Sequence, residues 1–495
     1  MRDWLAVRAH ATPEATALSS AGSLDSRVSY AELNDRVETL AGRFAAAGIC
    51  VDDPLAICAD TRVEFVAVAH AAQRLGAVFV PINARLSAPE IETRLGRLDP
   101  EVIVCERETE LTVCEATDSQ LLTLDEPRAE AIELTSLSPK PFDLPEWALE
   151  DPLVVLFTSG TTGEPKGVVL TLANVLASAT ASAFRLGIRA DDCWHVPLPM
   201  YHMGGLAPVY RSVLYGTAVS VQRGFDPETT LSALGHPDVS AVSLVPTMLE
   251  RVLDTGEIPE LRFVLLGGAP CPPELMERAQ EHGVPVAPTY GMTEAASQIA
   301  TARPDEARNA PESVGNPLMF TELSIVDSIG SICDIGNSGE IVVSGPMISP
   351  GYLDDEMTDH RFCSLGLRTG DCGYRDSAGR LYVEGRIDDT IISGGENVDP
   401  EEVSKVLRTH PSVGGCAVVG IPDNEWGQRV GTLIVPSEGA LPTVDELSTH
   451  CRERLAGYKC PKTVAFAESL PRTASGTVDR DAVIAKLIAS ENTVD

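Results

Sequence analysis

Residues 153–172 read LVVLFTSGTTGEPKGVVLTL and decide how we interpret the rest of the chain. The apolar run from Leu153 to Phe157 predicts a strand, and a second apolar run after Gly167 predicts another. Between them, glycines let the backbone turn sharply, while hydroxyl groups and Lys166 supply hydrogen-bond donors and a positive charge. This inventory suits a polyphosphate, with a flexible surface hairpin as the alternative. It is not the Walker pattern, because Gly167 follows the lysine where serine or threonine is required.

The composition indicates a large globular protein with an unusual charge balance. With 495 residues and 44% hydrophobic content, the chain is long enough for two or more domains with sizeable cores. The formal net charge is −34, and only six of the 38 basic residues are lysines. Such a surface repels nucleic acid and anionic membranes, so we expect neither as a partner. We also predict a source with a salt-rich cytoplasm, because salt screens the self-repulsion.

The sequence shows no pattern of a targeting or membrane-spanning segment. No basic n-region followed by an apolar h-region opens the chain, and the longest apolar stretch, Phe65 to Ile82, contains polar residues. The twelve cysteines are scattered without metal-ligand spacing, which is typical of free thiols in a reducing compartment. We therefore expect a soluble cytoplasmic protein, and a homo-oligomer stays open.

The hydrophobic periodicity favours an α/β fold with parallel sheets flanked by helices. Residues 30–47 have the pattern of an amphipathic helix, and strand, helix and strand patterns follow between Pro54 and Ile82. We interpret residues 107–150 as a connecting region. The alternation resumes at His195, and the ends of the later strands carry the glycine-rich segments where open parallel sheets bind ligands.

The pattern changes twice towards the C-terminus. From about residue 315, short alternating strands and turns predict a smaller β-rich subdomain. After the segment Gly385-Arg386-Ile387-Asp388-Asp389, short helices and strands mix. We place a domain boundary at Asp388, which predicts a large domain of residues 1–387 and a small α+β domain of residues 388–495.

The loop of residues 158–167 resembles the phosphate-binding signature of the adenylate-forming superfamily, which includes acyl-CoA ligases, peptide-synthetase adenylation domains and luciferases. Matching segments recur in the same order from about residue 10 to residue 480, nearly the whole chain. The resemblance implies an enzyme that uses ATP and Mg²⁺ to convert a carboxylic acid to an acyl-adenylate, and then transfers the acyl group to coenzyme A. Positioning and charge stabilisation supply the rate of such a reaction. It also implies a mobile C-terminal domain with Asp388 as its hinge.

The resemblance assigns the residues around the nucleotide. Glu294 is expected to bind Mg²⁺, Asp371 to accept the ribose hydroxyls, and Arg386 to lie near the ribose or α-phosphate. A helix cap and ordinary turns are the structural alternatives. The phosphates are assigned to Thr158, Ser159, Gly160, Thr161, Thr162, Gly163 and Lys166. The adenine and its neighbourhood are assigned to Gly267, Gly268, Ala269, Tyr290, Gly291 and Thr293.

The resemblance also assigns the thiol channel. Gly394 and Gly395, in Ser393-Gly394-Gly395-Glu396-Asn397, are expected to leave room for the pantetheine arm of coenzyme A. An ordinary glycine turn is the alternative for this loop.

The acyl pocket has its own signals. His202, in the segment PMYHMGGL, fits the residue that forms the wall and gate of the acyl pocket beside the reacting groups. The run from Tyr290 to Thr301, YGMTEAASQIAT, is most similar to the o-succinylbenzoate–CoA ligases of menaquinone biosynthesis. An aromatic keto-dicarboxylate would there contact the polar residues Ser297, Gln298, Thr301 and Arg211, the last facing its second carboxylate. Another aromatic or medium-chain acid is the alternative substrate, and surface positions are the alternative for these side chains.

One position departs from the superfamily. Its final motif normally ends in a lysine that contacts the substrate carboxylate and the α-phosphate, but Thr477 follows Gly476 in this chain. A threonine donates a hydrogen bond but carries no charge, so the first half-reaction is in question, and Arg472, Arg480 or K⁺ are candidate replacements. A weakly catalytic nucleotide- or acyl-CoA-binding protein is therefore the alternative from another functional class. A carrier-protein-loading domain is less favoured, because we expect no carrier segment beyond residue 495.

Overall fold

The computed structural model describes residues 3–21, 23–159, 165–387, 391–393, 396–423, 426–440, 442–455, 457–473 and 477–490. The chain divides into two compact units. The first unit comprises Met1–Ser324, Val342–Arg368 and Asp376–Tyr382, and the second comprises Ile325–Ile341, Thr369–Arg375 and Val383–Asp495. Within the described ranges, no helix has both the length and the apolar character that crossing a bilayer requires.

The N-terminal third alternates strands and helices, which confirms the predicted α/β pattern. Its helices are α1 (Trp4–Ala11), α2 (Tyr30–Ala47), α3 (Val63–Leu75), α4 (Ala88–Leu95) and α5 (Glu110–Ala116). Its strands are β1 (Thr16–Ser20), β2 (Ser23–Ser29), β3 (Pro54–Cys58), β4 (Val78–Ile82), β5 (Val102–Cys105), β6 (Gln120–Thr123) and β7 (Ile132–Glu133).

The middle of the chain continues this alternation around the predicted hairpin. Its strands are β8 (Pro152–Ser159), β9 (Pro165–Thr171), β10 (Cys193–Val196), β11 (Ala218–Val221), β12 (Ala241–Leu244), β13 (Phe263–Leu266), β14 (Val286–Met292), β15 (Ser297–Thr301) and β16 (Asn316–Pro317). Its helices are α6 (Leu172–Leu186), α7 (Met203–Tyr215), α8 (Pro227–Leu234), α9 (Pro246–Thr255), α10 (Pro273–Glu281) and α11 (Pro304–Asn309).

The C-terminal third is richer in antiparallel strands. Its first part contains β17 (Glu322–Val326), β18 (Gly339–Ser344), β19 (Gly351–Tyr352), α12 (Asp355–Arg361), β20 (Phe362–Cys363), β21 (Gly366–Arg375) and β22 (Leu381–Arg386). Its last part contains β23 (Ile391–Ser393), β24 (Glu396–Val398), α13 (Pro400–Arg408), β25 (Val413–Asp423), β26 (Gly427–Pro436), α14 (Val444–Arg452), β27 (Thr463–Phe466) and α15 (Arg480–Ser490).

Four sheets organise these strands. In the first unit, an eight-stranded sheet has the order β19-β9-β8-β4-β3-β5-β6-β7, and a nine-stranded sheet has the order β16-β15-β14-β13-β12-β10-β11-β1-β2. A five-stranded sheet orders β17-β18-β21-β20 with β22 on β21. In the second unit, another five-stranded sheet orders β24-β23-β26-β25 with β27 on β26.

Helix α2 shows how local sequence fixes an element. Ser29 and Glu32 form a capping box at its start, and Gly48, with a φ of 106°, ends it in the left-handed region. Its apolar face, which includes Val37 and Phe44, is buried against α3 and the first unit's core. The predicted amphipathic helix over residues 30–47 is therefore confirmed.

The interpretation of residues 107–150 as a connection was wrong. This segment contains α5 and the parallel strands β6 and β7, which extend the eight-stranded sheet beyond β5. The apolar runs in these strands are too short to stand out in the sequence. They become strands because the edge of β5 offers unpaired backbone groups.

Candidate active site

The two strands of the glycine-rich hairpin hold the ends of the phosphate loop. Strands β8 and β9 pair antiparallel, with Thr158 opposite Lys166. Lys166 is buried, and its Nζ lies 6.0 Å from the centroid of the Tyr352 ring. Four of the assigned phosphate ligands, Gly160, Thr161, Thr162 and Gly163, and the side chain of Ser159 lie outside the described residues.

Glu294 lies in the same unit, on a 3₁₀ turn that follows β14. Its carboxylate is buried and accepts a hydrogen bond of 2.7 Å from the hydroxyl of Tyr352 at Oε1. Burial, followed by the charge of Glu294, raises the pKa of Tyr352, so the phenol is the donor in this bond. A carboxylate oxygen in a protected position is the type of ligand that Mg²⁺ prefers, so this residue fits the predicted metal role.

The ends of β13 and β14 bring backbone together where the adenine is assigned. A Cβ atom at Gly267 would lie 2.8 Å from the carbonyl oxygen of Thr289, and Gly268 has a φ of 80°. Gly291 is packed more tightly, since its Cβ would lie 1.7 Å from the carbonyl oxygen of Ser297. Both strand ends therefore require glycine. The exposed Gly268 and Ala269 leave open backbone at this edge, as a flat base needs.

Arg211 is a buried cation of the first unit. It lies on α7, is buried, and donates from Nη2 to the Ser178 hydroxyl at 3.3 Å. Ser178 in turn donates to the carbonyl oxygen of Ala296 at 2.7 Å, so the guanidinium lies near the start of β15. Burial lowers the pKa of Arg211. No carboxylate pairs with Arg211 among the residues that the structure describes, and a buried cation is ordinarily paired.

Two of the three polar residues predicted on β15, Gln298 and Thr301, are hydrogen-bonded to each other beside α7, which packs against this strand. Gln298 donates to the Thr301 hydroxyl at 2.8 Å, and that hydroxyl lies 2.8 Å from the hydroxyl of Thr289. The buried Oε1 of Gln298 has no hydrogen-bond partner within the described part of the chain. Ser297 has a φ of 115°, a region that favours glycine, and strained residues of this kind cluster at functional sites.

His202 lies at the N-terminus of α7, in the first unit with Arg211. Burial, followed by the charge of Arg85, lowers the pKa of His202 to about 4, so the imidazole is neutral at physiological pH. Its ring lies 4.8 Å from the ring of Tyr201. In the described structure, neither the Nε2 of His202 nor the hydroxyl of Tyr201 has a hydrogen-bond partner. A neutral, buried imidazole suits a pocket wall.

The second unit brings together two other predicted residues. Arg386 Nη1 lies 3.6 Å from Asp371 Oδ1. The backbone of Asp371 donates to the Thr369 hydroxyl at 3.1 Å, and that buried hydroxyl donates to the carbonyl of Ile341 at 2.8 Å. Burial and the charge of Arg386 lower the pKa of Arg480, so a second guanidinium lies in this neighbourhood.

Comparison with known proteins places the chain in a family. Residues 5–353 match the sequence profile described as AMP-binding enzyme, and residues 402–477 match that of the AMP-binding enzyme C-terminal domain. The chain belongs to the AMP-binding enzyme family. This finding confirms the resemblance to the adenylate-forming superfamily.

Individual relatives of this AMP-binding enzyme are similar over nearly its whole length. It is 38% identical over 486 residues to the 2-succinylbenzoate–CoA ligase of Bacillus mycoides (strain KBAB4), with 96% of each chain covered. Among solved structures, the o-succinylbenzoate CoA synthetase of Bacillus subtilis with the acyl-adenylate intermediate OSB-AMP has a TM-score of 0.89 and 34% identity, covering 98% of each chain. The same Bacillus subtilis enzyme with ATP and a magnesium ion has a TM-score of 0.89 and 35% identity, covering 97% of this chain and 99% of that one.

Other predicted positions of this AMP-binding enzyme are only partly described. Asp388, Gly394 and Gly395 lie outside the described residues, so the hinge and thiol-channel roles stay predictions. Thr477 is described and exposed, and its hydroxyl lies 2.7 Å from that of Thr473.

Sequence reasoning missed three residues that the structure adds to these groups. Tyr352 contacts Glu294, Ser178 contacts Arg211, and Thr289 joins the group on β15. Thr289 directly precedes Tyr290, the first residue of the predicted nucleotide-binding segment, so its position next to that motif was a signal in the sequence. Ser178 and Tyr352 carried no local signal, because their partners are distant in sequence.

Proposed function

We propose that this AMP-binding enzyme is a 2-succinylbenzoate–CoA ligase. In the first half-reaction, an oxygen of the acid's carboxylate attacks the α-phosphorus of ATP and pyrophosphate leaves. In the second, the thiol of coenzyme A attacks the acyl carbon of the adenylate and AMP leaves. The similarity to enzymes of this name, at 38% identity over 96% of each chain, supports the activity.

The buried Arg211 is the observation that supports this substrate over other acids. An aromatic monoacid or a fatty acid would leave the guanidinium facing an apolar group, which is unfavourable for a buried charge. An acid with a second carboxylate supplies the missing anion. The amide N–H groups of Gln298 and the hydroxyl of Thr301 are donors of the kind from which a keto oxygen accepts. Arg211, Ser178 and Ser297 lie in the same unit on adjoining elements.

The remaining roles follow the family resemblance. Lys166 and the hydroxyls of the glycine-rich loop hold the β- and γ-phosphates, and Glu294 holds Mg²⁺. Bound Mg²⁺ supplies charge that stabilises the phosphate oxygens. Asp371 accepts the ribose hydroxyls, with Arg386 near the α-phosphate, and Gly394 and Gly395 leave space for pantetheine. We further propose the domains 1–387 and 388–495, with the hinge at Asp388.

The decisive experiment is a panel of acids assayed in high-potassium buffer with ATP, Mg²⁺ and coenzyme A, in which mass spectrometry follows the thioester and AMP. Thioester from o-succinylbenzoate, but not from benzoate or a medium-chain fatty acid, is the expected result. Product from the other acids instead would reject the dicarboxylate specificity and keep the ligase activity. Absence of AMP with every acid would favour the nucleotide- or acyl-CoA-binding alternative that Thr477 raises.

We also propose a cytoplasmic location, since the twelve scattered cysteines are all free, which is typical of a reducing compartment. A homo-oligomer stays a prediction, which light scattering on the purified protein tests directly.

A further inference from the structure

Tyr352 is fixed beside the phosphate loop by the backbone. It ends the short strand β19, which pairs antiparallel with β9 so that Tyr352 lies opposite Val168. The next residue, Leu353, donates its backbone N–H to the carbonyl of Gly167 at 2.8 Å. The backbone of Tyr352 is therefore held beside β9, opposite a residue that lies two positions after Lys166.

The segment that carries Tyr352 also holds Glu294 at two points. The tyrosine hydroxyl donates to Glu294 Oε1 at 2.7 Å, and the backbone N–H of Ser349 donates to the Glu294 carbonyl at 2.7 Å. Tyr352 is 5% exposed and Glu294 is 6% exposed, so water does not compete strongly for this bond. The hydroxyl also lies near the guanidinium of Arg361.

The aromatic ring of Tyr352 faces a cation. Lys166 Nζ lies 6.0 Å from the ring centroid, at the outer limit of a cation–π contact. One side chain thus contacts both the carboxylate assigned to Mg²⁺ and the ammonium assigned to the phosphates. Both of these charged side chains are buried, so the contacts that Tyr352 makes with them are only weakly screened by water.

We infer that Tyr352 is a positioning residue for the nucleotide site. Its hydroxyl holds Oε1 of Glu294, which would leave the other carboxylate oxygen available to a divalent cation. This inference rests on the proposed function, because it assumes that the site binds ATP with Mg²⁺. It assigns a role to a side chain outside the glycine-rich loop and the segment from Tyr290 to Glu294.

The test is ATP binding by isothermal titration calorimetry, with and without Mg²⁺, on the full-length wild type and Tyr352→Phe. The phenylalanine keeps the ring and its packing and removes only the hydroxyl. We expect the gain in ATP affinity that Mg²⁺ provides to fall about tenfold in Tyr352→Phe, the size expected for one strong hydrogen bond. ATP affinity in the presence of EDTA should not fall, and adenylation should require more Mg²⁺ for half-maximal rate.

Two further variants separate positioning from a general structural effect. Tyr382→Phe is the matched control, since Tyr382 also bonds a carboxylate, Asp376 Oδ2, at 3.3 Å, and it should keep the Mg²⁺ effect on ATP binding. In a Glu294→Gln background, Tyr352→Phe should not reduce the effect of Mg²⁺ on ATP affinity any further. A residue that acts only through the Glu294 carboxylate has no effect once that carboxylate is gone.

The outcomes distinguish the two proposals. A Mg²⁺ effect that is the same in Tyr352→Phe and wild type would overturn the positioning role and leave the ligase proposal intact. Additive losses in the double variant would also overturn it. Wild-type protein that binds no ATP at any Mg²⁺ concentration would overturn both.

Discussion

The hydroxyl groups of Thr473 and Thr477 lie 2.7 Å apart, and the backbone N–H of Thr473 donates to the carbonyl of Thr477 at 2.8 Å. The Thr477 hydroxyl is thereby engaged within its own chain segment. In the superfamily pattern, this position carries the lysine that neutralises charge as the acyl-adenylate forms. A threonine bonded to its neighbour supplies no charge, so adenylation is the step where this enzyme should be limited.

The first prediction follows from that limit. Thr477→Lys should raise the rate of acyl-adenylate formation by about tenfold or more, because a positioned charge stabilises the developing charge on phosphate. Pyrophosphate release measured without coenzyme A reports this step alone. The thioester step, started from preformed acyl-adenylate, should keep its rate, since it does not use the lysine.

Thr473→Lys is the matched control, because it places the same charge on the other member of the hydroxyl pair and should not raise the rate. An unchanged rate in Thr477→Lys would show that another cation already fills the role. Arg480 would then be the first candidate, because it lies close enough to Arg386 for that charge to lower the pKa of Arg480.

The second prediction concerns Arg211. Arg211→Gln should raise the KM for o-succinylbenzoate by about tenfold to a hundredfold, because a hydrogen bond to a charged group contributes about 1.5–3 kcal/mol. The same variant should stay folded, since it removes a buried charge that has a hydroxyl rather than a carboxylate as its hydrogen-bond partner. Steady-state kinetics with the acid varied measure this effect.

Arg262→Gln is the control for the loss of an arginine, since Arg262 is already paired with Asp192. It should leave the KM for the acid unchanged and lower the thermal stability. If Arg211→Gln kept the wild-type KM, the second carboxylate would have to bind elsewhere.

The sequence was informative where local rules act. The glycine-rich hairpin, helix α2 and strand β13 follow from apolar periodicity and turn residues. The motifs also predicted site roles for Glu294 and Arg211, and these roles stay predictions. Residues 107–150 were misjudged because β6 and β7 depend on an already formed sheet edge. Tertiary context decided their structure.

Contacts between distant segments were also beyond local rules. Tyr352 and Glu294 are 58 residues apart, and Ser178 and Arg211 are 33 apart. The strain at Ser297 and the need for glycine at position 291 arise from one close approach of β14 and β15. No periodicity in a single segment encodes such an approach.

The third prediction concerns pH and the buried His70. Burial lowers its pKa from 6.5 to about 4, and neither ring nitrogen has a hydrogen-bond partner in the described structure. The unfolded chain takes up a proton near pH 6.5 while the folded state stays neutral. The stability that depends on this group is therefore complete above about pH 6.5 and is lost as the pH falls towards 4.

His70→Phe should remove this loss. The effect of the substitution on the free energy of unfolding should therefore be more favourable at pH 5 than at pH 8, by about 2 kcal/mol. Urea unfolding at the two pH values measures the difference. Tyr210→Phe is the control, because it removes a neighbouring buried hydroxyl that also lacks a partner in the described residues, and it should act equally at both pH values. An equal effect of His70→Phe at both pH values would contradict the prediction.

The fourth prediction concerns salt. The chain has 72 acidic and 38 basic residues, so negative charges outnumber positive charges by 34. Raising KCl from about 0.1 M to about 1 M shortens the Debye length from about 10 Å to about 3 Å, which suppresses repulsion between neighbouring surface carboxylates. We expect the midpoint of thermal unfolding, followed by circular dichroism, to rise steeply over this range.

Sucrose at equal osmolality is the control, because it changes water activity without screening charge. Full structure and activity in dilute buffer would contradict the salt-rich origin, and an equal effect of sucrose would attribute the stabilisation to solvent exclusion rather than to screening.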